Sequence, residues 1–172
     1  MLQCSRLIGK LSSEKEIAHV SVDNETFYKV TAYFNDIPLS LLVSEYILDK
    51  APVGVPVYIH GYLVPSKVKG ELLFYAYKIY KSEREREKDS CVIEVCGTLV
   101  YSHHTLSRNN ARCRTDLRVS SLTPNGRVTT CMTAEERIAR SLANRETGKY
   151  IHCVCELKKS SRGVGLQVID TK

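Results

Sequence analysis

Apolar and polar residues alternate along several short stretches of this chain, a pattern typical of β-strands that bury one face. From position 55 to position 63, every odd-numbered residue is apolar or glycine, whereas Tyr58 and Tyr62 occupy even-numbered positions. A turn-like stretch follows at 65–70, and residues 72–79 then alternate again. The sequence therefore predicts two half-buried strands that share one core and one aromatic, basic face.

Four further elements are predicted ahead of this pair. Residues 7–11 read as a strand in which Gly9 suggests a bend or bulge. Residues 27–34 and 37–42 alternate as two more strands, and residues 44–50 resemble a short helix that ends before the Ala-Pro break.

The pattern then starts again after residues 83–89, EREREKD, which contain no apolar side chain and mark a boundary. Gly97 lies 88 positions after Gly9, and Gly148 lies 94 positions after Gly54. We therefore predict an internal repeat, with one domain at 1–82, a charged linker at 83–89 and a second domain at 90–172.

The second half supplies its own turn and helix signals. Asn125–Gly126 predicts a tight hairpin, because these residues tolerate positive φ angles. Thr133 and Glu136 have the spacing of a capping box that opens a helix with Ile138 and Leu142 on one face. Each half then reads strand, strand, strand, helix, strand, strand. That is the order of the five-stranded Greek-key barrel called the OB fold, so we predict an all-β protein with short helices and two tandem OB folds.

The seven cysteines do not have the spacing of a metal site. There is no CxxC motif, the count is odd, and residues 153 and 155 fall on one face of a predicted strand. We expect buried free thiols, no metal and no disulfide. The seven positions are Cys4, Cys91, Cys96, Cys113, Cys131, Cys153 and Cys155.

Other classes of protein are disfavoured by the sequence. No apolar run reaches membrane-spanning length, and the N-terminus has no signal-peptide pattern, so we expect a soluble cytoplasmic protein. No phosphate-binding glycine loop, HExxH or GxSxG motif occurs, so we expect no enzymatic activity and no cofactor. The only histidine pair, His103–His104, is interpreted as polar loop residues.

Charge is concentrated in the second half. The formal net charge is +6, and residues 90–172 alone carry 13 basic and 7 acidic side chains. Nine of those basic residues are arginines, whose planar guanidinium groups suit contacts with phosphate. A merely solvated surface is the alternative.

Positive charge together with flat aromatic rings is what a groove for single-stranded nucleic acid requires. Eleven of the 13 aromatic residues lie in the first half. For each tyrosine proposed here to stack on a base, packing against the linker or a partner subunit is an equally good alternative. The arginines of the predicted helix in the second half are interpreted as surface residues. The candidate stacking residues are Tyr33, Tyr58, Tyr62, Tyr75 and Tyr77, beside Lys29, Lys67 and Lys69; the candidate phosphate contacts are Arg108, Arg112, Arg114, Arg118, Arg127, Lys158, Lys159 and Arg162.

The segments IPL at 37–39, VSE at 43–45 and ILD at 47–49, followed by the glycine-spaced strand at 54–63, resemble the bacterial and phage single-stranded DNA-binding proteins, and more closely their tandem two-OB members. The resemblance implies sequence-tolerant binding of single-stranded DNA in replication, recombination or repair, by a homodimer that presents four OB folds in the cytoplasm of a bacterial or phage-infected cell. The chain has no tryptophan and no acidic C-terminal tail, so recruitment of enzymes by a tail is not expected.

Two alternatives stay open. An adaptor OB protein of the primosomal or phage type would use the tyrosine face to bind protein. RNA could replace DNA as the ligand, because stacking and phosphate contacts do not inspect the 2′-hydroxyl group. Salt dependence separates nucleic-acid binding from an apolar protein interface.

Overall fold

The computed structural model describes residues 5–21, 23–82, 89–107, 112–161 and 163–172. Two compact units divide the chain, one ending at Cys91 and the other running from Val92 to Lys172. Residues 83–88 of the predicted linker lie outside the described residues, and the domain boundaries stay a prediction. Within the ranges described, no helix is long and apolar enough to cross a membrane.

The first unit is a closed five-stranded barrel. Its elements are β1 (Ser5–Val20), β2 (Thr26–Phe34), β3 (Ile37–Ser44), α1 (Glu45–Leu48), β4 (Pro56–Val64) and β5 (Leu73–Lys81). Strands β1, β2 and β3 pair in antiparallel order, β3 pairs with β5 in parallel, and antiparallel pairs β5–β4 and β4–β1 close the ring.

The second unit repeats this topology strand by strand. Its elements are β6 (Ser90–Leu106), β7 (Cys113–Thr123), β8 (Gly126–Glu135), α2 (Glu136–Leu142), β9 (Tyr150–Ser160) and β10 (Gly163–Thr171). Antiparallel pairs join β6, β7 and β8, a parallel pair joins β8 to β10, and antiparallel pairs β10–β9 and β9–β6 complete the barrel.

Glycines at equivalent positions show that the sequence repeat is also a structural repeat. A Cβ atom at Gly9 would lie 2.6 Å from the Tyr33 carbonyl oxygen, and one at Gly97 would lie 2.2 Å from the Ser120 carbonyl oxygen. In both barrels a glycine therefore lets the long first strand pass close to the second. Gly54 and Gly148 both have positive φ angles. Their N–H groups donate to the carbonyl groups of Leu11 and Leu99, which lie 88 positions apart. The predicted repeat is confirmed.

The alternating patterns predict the core well, with one correction at β4. Residues 57, 59, 61 and 63 of β4 face the core as predicted and are buried. The opposite face of this strand was expected to be open, but Tyr58 and Tyr62 are only 7% and 6% exposed. The strand is buried on both faces, because side chains of the neighbouring strands cover the two tyrosine rings.

The predicted capping box is wrong. Thr133 lies in β8, where it pairs with Asp116, and α2 begins only at Glu136 without a side-chain cap. The alternation of the strand continues past the Thr-Ala pair, so the β-branched threonine stays in the sheet. The helix buries Ala139 and Leu142, whereas Ile138 is half-buried.

The hairpin turns also differ in detail. Gly126 has φ +106°, as the Asn-Gly signal predicts, but Asn125 is not among the positive-φ residues of the described chain. The turn with two consecutive positive φ angles is instead Asn35–Asp36, at 48° and 64°.

Four of the seven cysteines are buried free thiols as expected. Burial raises the pKa of Cys153 to about 12, so this thiol stays protonated. Cys131 is exposed and Cys91 half-buried, which corrects the prediction, and Cys4 lies outside the described residues. The buried positions are Cys96, Cys113, Cys153 and Cys155.

The histidine pair is not in a loop. His103 and His104 lie within β6, where adjacent side chains point to opposite faces. His104 Nδ1 is 2.8 Å from the hydroxyl oxygen of Thr115. Among the residues described, no group of three or more His, Cys, Asp or Glu side chains could hold a metal ion.

Candidate nucleic-acid interface

Five rings form a continuous row on the outside of the first barrel, which we call the aromatic row. His19 stacks on Phe27 with ring centroids 4.6 Å apart, and Phe27 lies 6.3 Å from Tyr75. Tyr75 lies 5.3 Å from Tyr62, which lies 6.2 Å from Tyr77. The row thus crosses from the β1–β2 hairpin over β5 to β4.

Strand register places these rings side by side. His19 is the cross-strand partner of Phe27, and Tyr62 is the partner of Tyr75. The β4–β5 register shifts between His60 and Gly61, and Tyr77 lies at this bulge, from which its ring joins the row. Tyr77 is 39% exposed and His19 is exposed, while Phe27 and Tyr75 are half-buried.

A second aromatic group covers Tyr58. The Arg6 guanidinium carbon lies 4.0 Å from the centroid of the Tyr58 ring, and the Tyr80 ring lies 5.1 Å away. His60 Nε2 is 3.2 Å from the Tyr80 hydroxyl oxygen. Burial, followed by the charges of Arg6 and Lys78, lowers the pKa of His60, so its ring is neutral at pH 7. The expectation that Tyr58 presents an open face is therefore corrected.

Lys29 lies on the outward side of β2, in the same alternation as Phe27. It forms a salt bridge with Glu71, which also accepts a hydrogen bond of 3.0 Å from the Ser40 hydroxyl and another from Ser66. Burial alone would raise the pKa of this carboxyl group, but the hydrogen bonds from the lysine and the two serines outweigh it and lower the pKa. The carboxylate stays ionised and holds Lys29 beside the row.

The remaining candidates of the first barrel are more open to solvent. Tyr33 is 44% exposed on β2 and pairs with Lys10 on β1. Lys67 and Lys69 are exposed in the segment between β4 and β5.

The second barrel carries a groove of about 740 Å³ on its outer surface. Strand β7 supplies Arg114, Asp116 and Arg118, which alternate outward while Leu117 faces the core. Lys158 from β9 and Tyr101 from β6 also line the groove.

Carboxylates in the groove already engage two of its three cations. Arg114 Nε lies 2.8 Å from Asp116 Oδ1, and Lys158 Nζ lies 2.9 Å from Glu135 Oε1. Arg118 forms no salt bridge within the described part of the chain, and its guanidinium carbon lies 4.9 Å from the Tyr101 ring centroid. The groove is therefore less positive than a count of its arginines suggests, and Arg118 is its least neutralised cation.

No protein-family model matches the sequence, and no curated protein matches it. Solved structures do match. The chain aligns with the wild-type single-stranded DNA binding protein from Thermus aquaticus at a TM-score of 0.76 and 13% identity, over 99% of this chain and 92% of that one. A deletion mutant of that protein aligns at a TM-score of 0.77 and 11% identity, over 99% and 93%. Each barrel here also has the strand order and helix position of an OB fold. The chain is a tandem of two OB folds. The predicted fold class is confirmed.

The two OB barrels gather their candidate residues differently. The first brings Tyr62, Tyr75 and Tyr77 together, and the second brings Arg114, Arg118 and Lys158 into one groove. Among the described candidate cations, Arg112, Arg127 and Lys159 do not line that groove. Arg127 donates to the Ser120 hydroxyl at 3.2 Å, Arg112 and Lys159 are exposed, and Arg108 and Arg162 lie outside the described residues.

Several residues of these surfaces escaped prediction. His19 follows an irregular stretch of β1 with two register shifts, which hides it from an alternation search. Phe27 is the first residue of a predicted strand and lies two residues before Lys29. Alternation therefore predicts that these two side chains share one face of the strand. Alternation along β7 places Asp116 outward beside the arginines, but it does not show that Asp116 and Glu135 engage cations of the groove.

Proposed function

We propose that this protein binds and protects single-stranded DNA with little sequence preference, in replication, recombination or repair. The observation that carries the proposal is the aromatic row of the first OB barrel, whose partly exposed rings share that barrel with Lys29, Lys67 and Lys69. Bases of any sequence have flat faces that stack on such rings, and each stacked base contributes about 1–3 kcal/mol. The exposed Lys67 and Lys69 suit the phosphates of the same strand.

The second OB barrel supports the proposal by a different route. OB folds that bind oligonucleotides use the surface of their second and third strands, and the groove lies on the corresponding strands β7 and β8. Arg118 and Tyr101 present a cation stacked on a ring, a surface suited to one base and its phosphate. The first barrel thus contributes mainly stacking, and the second mainly charge.

The fold neighbours add a second kind of support. The two aligned structures are of a single-stranded DNA binding protein, and the alignment spans both OB barrels. We extend the proposal to a homodimer that presents four OB folds. Tyr80, which lies on β5 outside the aromatic row, exposes 36% of its surface and offers apolar area for a partner. Sedimentation equilibrium at micromolar protein would give twice the monomer mass.

The proposal predicts tight binding of a labelled dT oligonucleotide, measured by fluorescence anisotropy. Affinity should exceed that for duplex DNA of equal length and should fall steeply as salt rises, because counterions are released from the phosphates. RNA of equal length tests whether the 2′-hydroxyl group matters. Absence of binding even at low salt would overturn the proposal and favour the adaptor function, in which the aromatic row binds protein.

Cys131 offers a direct probe of the second groove. Its thiol is exposed on β8 opposite Arg118 and lines the groove. We expect saturating dT oligonucleotide to slow its alkylation by a maleimide severalfold, because a bound strand covers β7 and β8. Peptide-resolved mass spectrometry would measure the rate at Cys131 with and without the oligonucleotide. An unchanged rate at Cys131 under saturation would show that the strand bypasses this groove.

A further inference from the structure

We propose that Asp116 gives the groove of the second OB barrel a preference for bases with two adjacent N–H donors, guanine above thymine. The inference rests on the proposed function, since it concerns how the same groove binds single-stranded DNA. It adds a bias from one barrel to the sequence-tolerant stacking of the other.

The observation behind it is an acid at the centre of a basic groove. Asp116 stands on the outward face of β7 between Arg114 and Arg118, two residues from each. Its cross-strand partners are His103 on β6 and Thr133 on β8. The side chain is 42% exposed. A groove that served phosphate alone would gain nothing from a negative charge there, because like charges repel.

Asp116 can also accept further hydrogen bonds. Its Oδ1 atom accepts from Arg114 Nε at 2.8 Å, and within the described ranges its Oδ2 atom accepts no hydrogen bond. An ionised carboxylate has about four lone-pair sites and donates nothing. Arg114 uses only Nε for this contact, so its terminal N–H groups are left to bind a phosphate. One Arg-Asp pair can therefore hold a phosphate and a base side by side.

The neighbouring residues place a base within reach. Tyr101, which is 41% exposed, pairs across the sheet with Arg118, and the two form a flat stacking surface. The next outward pair along these strands is His103 with Asp116. Outward residues two apart on a strand are separated by about 6.6 Å. A base stacked on Tyr101 and Arg118 would thus turn its edge toward the Asp116 carboxylate.

Hydrogen-bond chemistry then decides among the bases. Guanine presents its N1–H and N2–H donors side by side, which matches the two oxygens of a carboxylate. Thymine presents one N–H between two carbonyl oxygens, which a carboxylate repels. A good bidentate contact between a side chain and a base discriminates by about 5- to 150-fold.

The test compares three oligonucleotides of equal length: dT alone, and dT with every second base replaced by guanine or by hypoxanthine, which keeps N1–H but lacks the amino group. Lithium buffer prevents quadruplex formation. We expect the guanine strand to bind about fivefold or more tightly than dT, with hypoxanthine between them. Asp116→Asn should abolish most of this preference, measured as the ratio of the guanine-strand and dT affinities of the same variant. Asp170→Asn, the same chemical change on β10 outside the groove lining, should keep it.

Three results would overturn the inference. One is a wild-type protein that binds dT as well as or better than the guanine strand. Another is a guanine preference that survives in both Asp116→Asn and Asp116→Ala, with circular dichroism showing folded protein. The third is an equal gain in affinity for all three strands on substitution, which would mean that Asp116 only repels phosphate. Failure of every strand to bind would instead overturn the proposed function.

Discussion

Replacing Phe27 and Tyr75 together by alanine is expected to weaken binding of a dT oligonucleotide by about 30-fold or more. The two rings are neighbours in the aromatic row, 6.3 Å apart, and both are half-buried. Each should stack one base, and at least about 1 kcal/mol per base is lost on truncation to alanine. Fluorescence anisotropy at low salt measures the change directly.

The choice of these two rings follows from burial. Tyr62 also belongs to the aromatic row, and Tyr58 belongs to the second aromatic group, but the two side chains are only 6% and 7% exposed. Truncating a buried aromatic side chain costs about 3–5 kcal/mol of stability, so alanine there would mix unfolding with loss of binding. Phe27 and Tyr75 lie closer to solvent and separate the two effects better.

Tyr46→Ala is the matched control. Tyr46 lies on α1 of the same barrel, is 68% exposed, and has Lys50 Nζ 3.6 Å from its ring centroid; within the described residues it makes no ring contact with the aromatic row. We expect unchanged affinity for this variant and cooperative thermal unfolding for both. Equal losses in the control and the double variant, or no loss in either, would contradict the assignment of the row as the stacking surface.

Much of the fold was accessible from the sequence, because an OB barrel is built from local alternation and a few special glycines. Val57 and Ile59, or Leu117 and Val119, face the core wherever the strand begins, since side chains of a strand alternate between faces. Gly9 and Gly97, like Leu11 and Leu99, lie 88 positions apart in the sequence. In the structure the two glycines make matching close approaches, and the two leucine carbonyl groups accept matching hydrogen bonds.

The candidate surfaces depend on long-range register, which alternation does not specify. The row needs Tyr62 opposite Tyr75 and a bulge at Tyr77, and both follow from how β4 pairs with β5. The covering of Tyr58 needs Arg6, more than 50 residues earlier in the chain. The closing of Lys158 on Glu135 likewise joins β9 to the end of β8. A sequence pattern predicts the face of each residue but not its neighbours across the sheet.

Gly97→Ala is expected to destabilise the second OB barrel by about 3 kcal/mol. The added Cβ atom would lie 2.2 Å from the Ser120 carbonyl oxygen and 2.8 Å from its carbon. These are backbone atoms of β7, which is paired on both sides with β6 and β8, so they cannot move aside without breaking hydrogen bonds. Urea unfolding followed by circular dichroism measures the loss.

Gly165→Ala is its counterpart with the opposite expected sign. Gly165 lies in β10 of the same barrel, and a Cβ atom there would meet no heavy atom within 4 Å. Alanine at an unstrained glycine position restricts the unfolded chain and stabilises a protein by about 0.4–1 kcal/mol. Equal stabilities of the two variants would mean that β6 does not approach the backbone of β7 at Gly97. A lower stability of Gly97→Ala than of Gly165→Ala would instead show that the second barrel requires the close approach of β6 to β7. Strands β1 and β2 make the same close approach at Gly9.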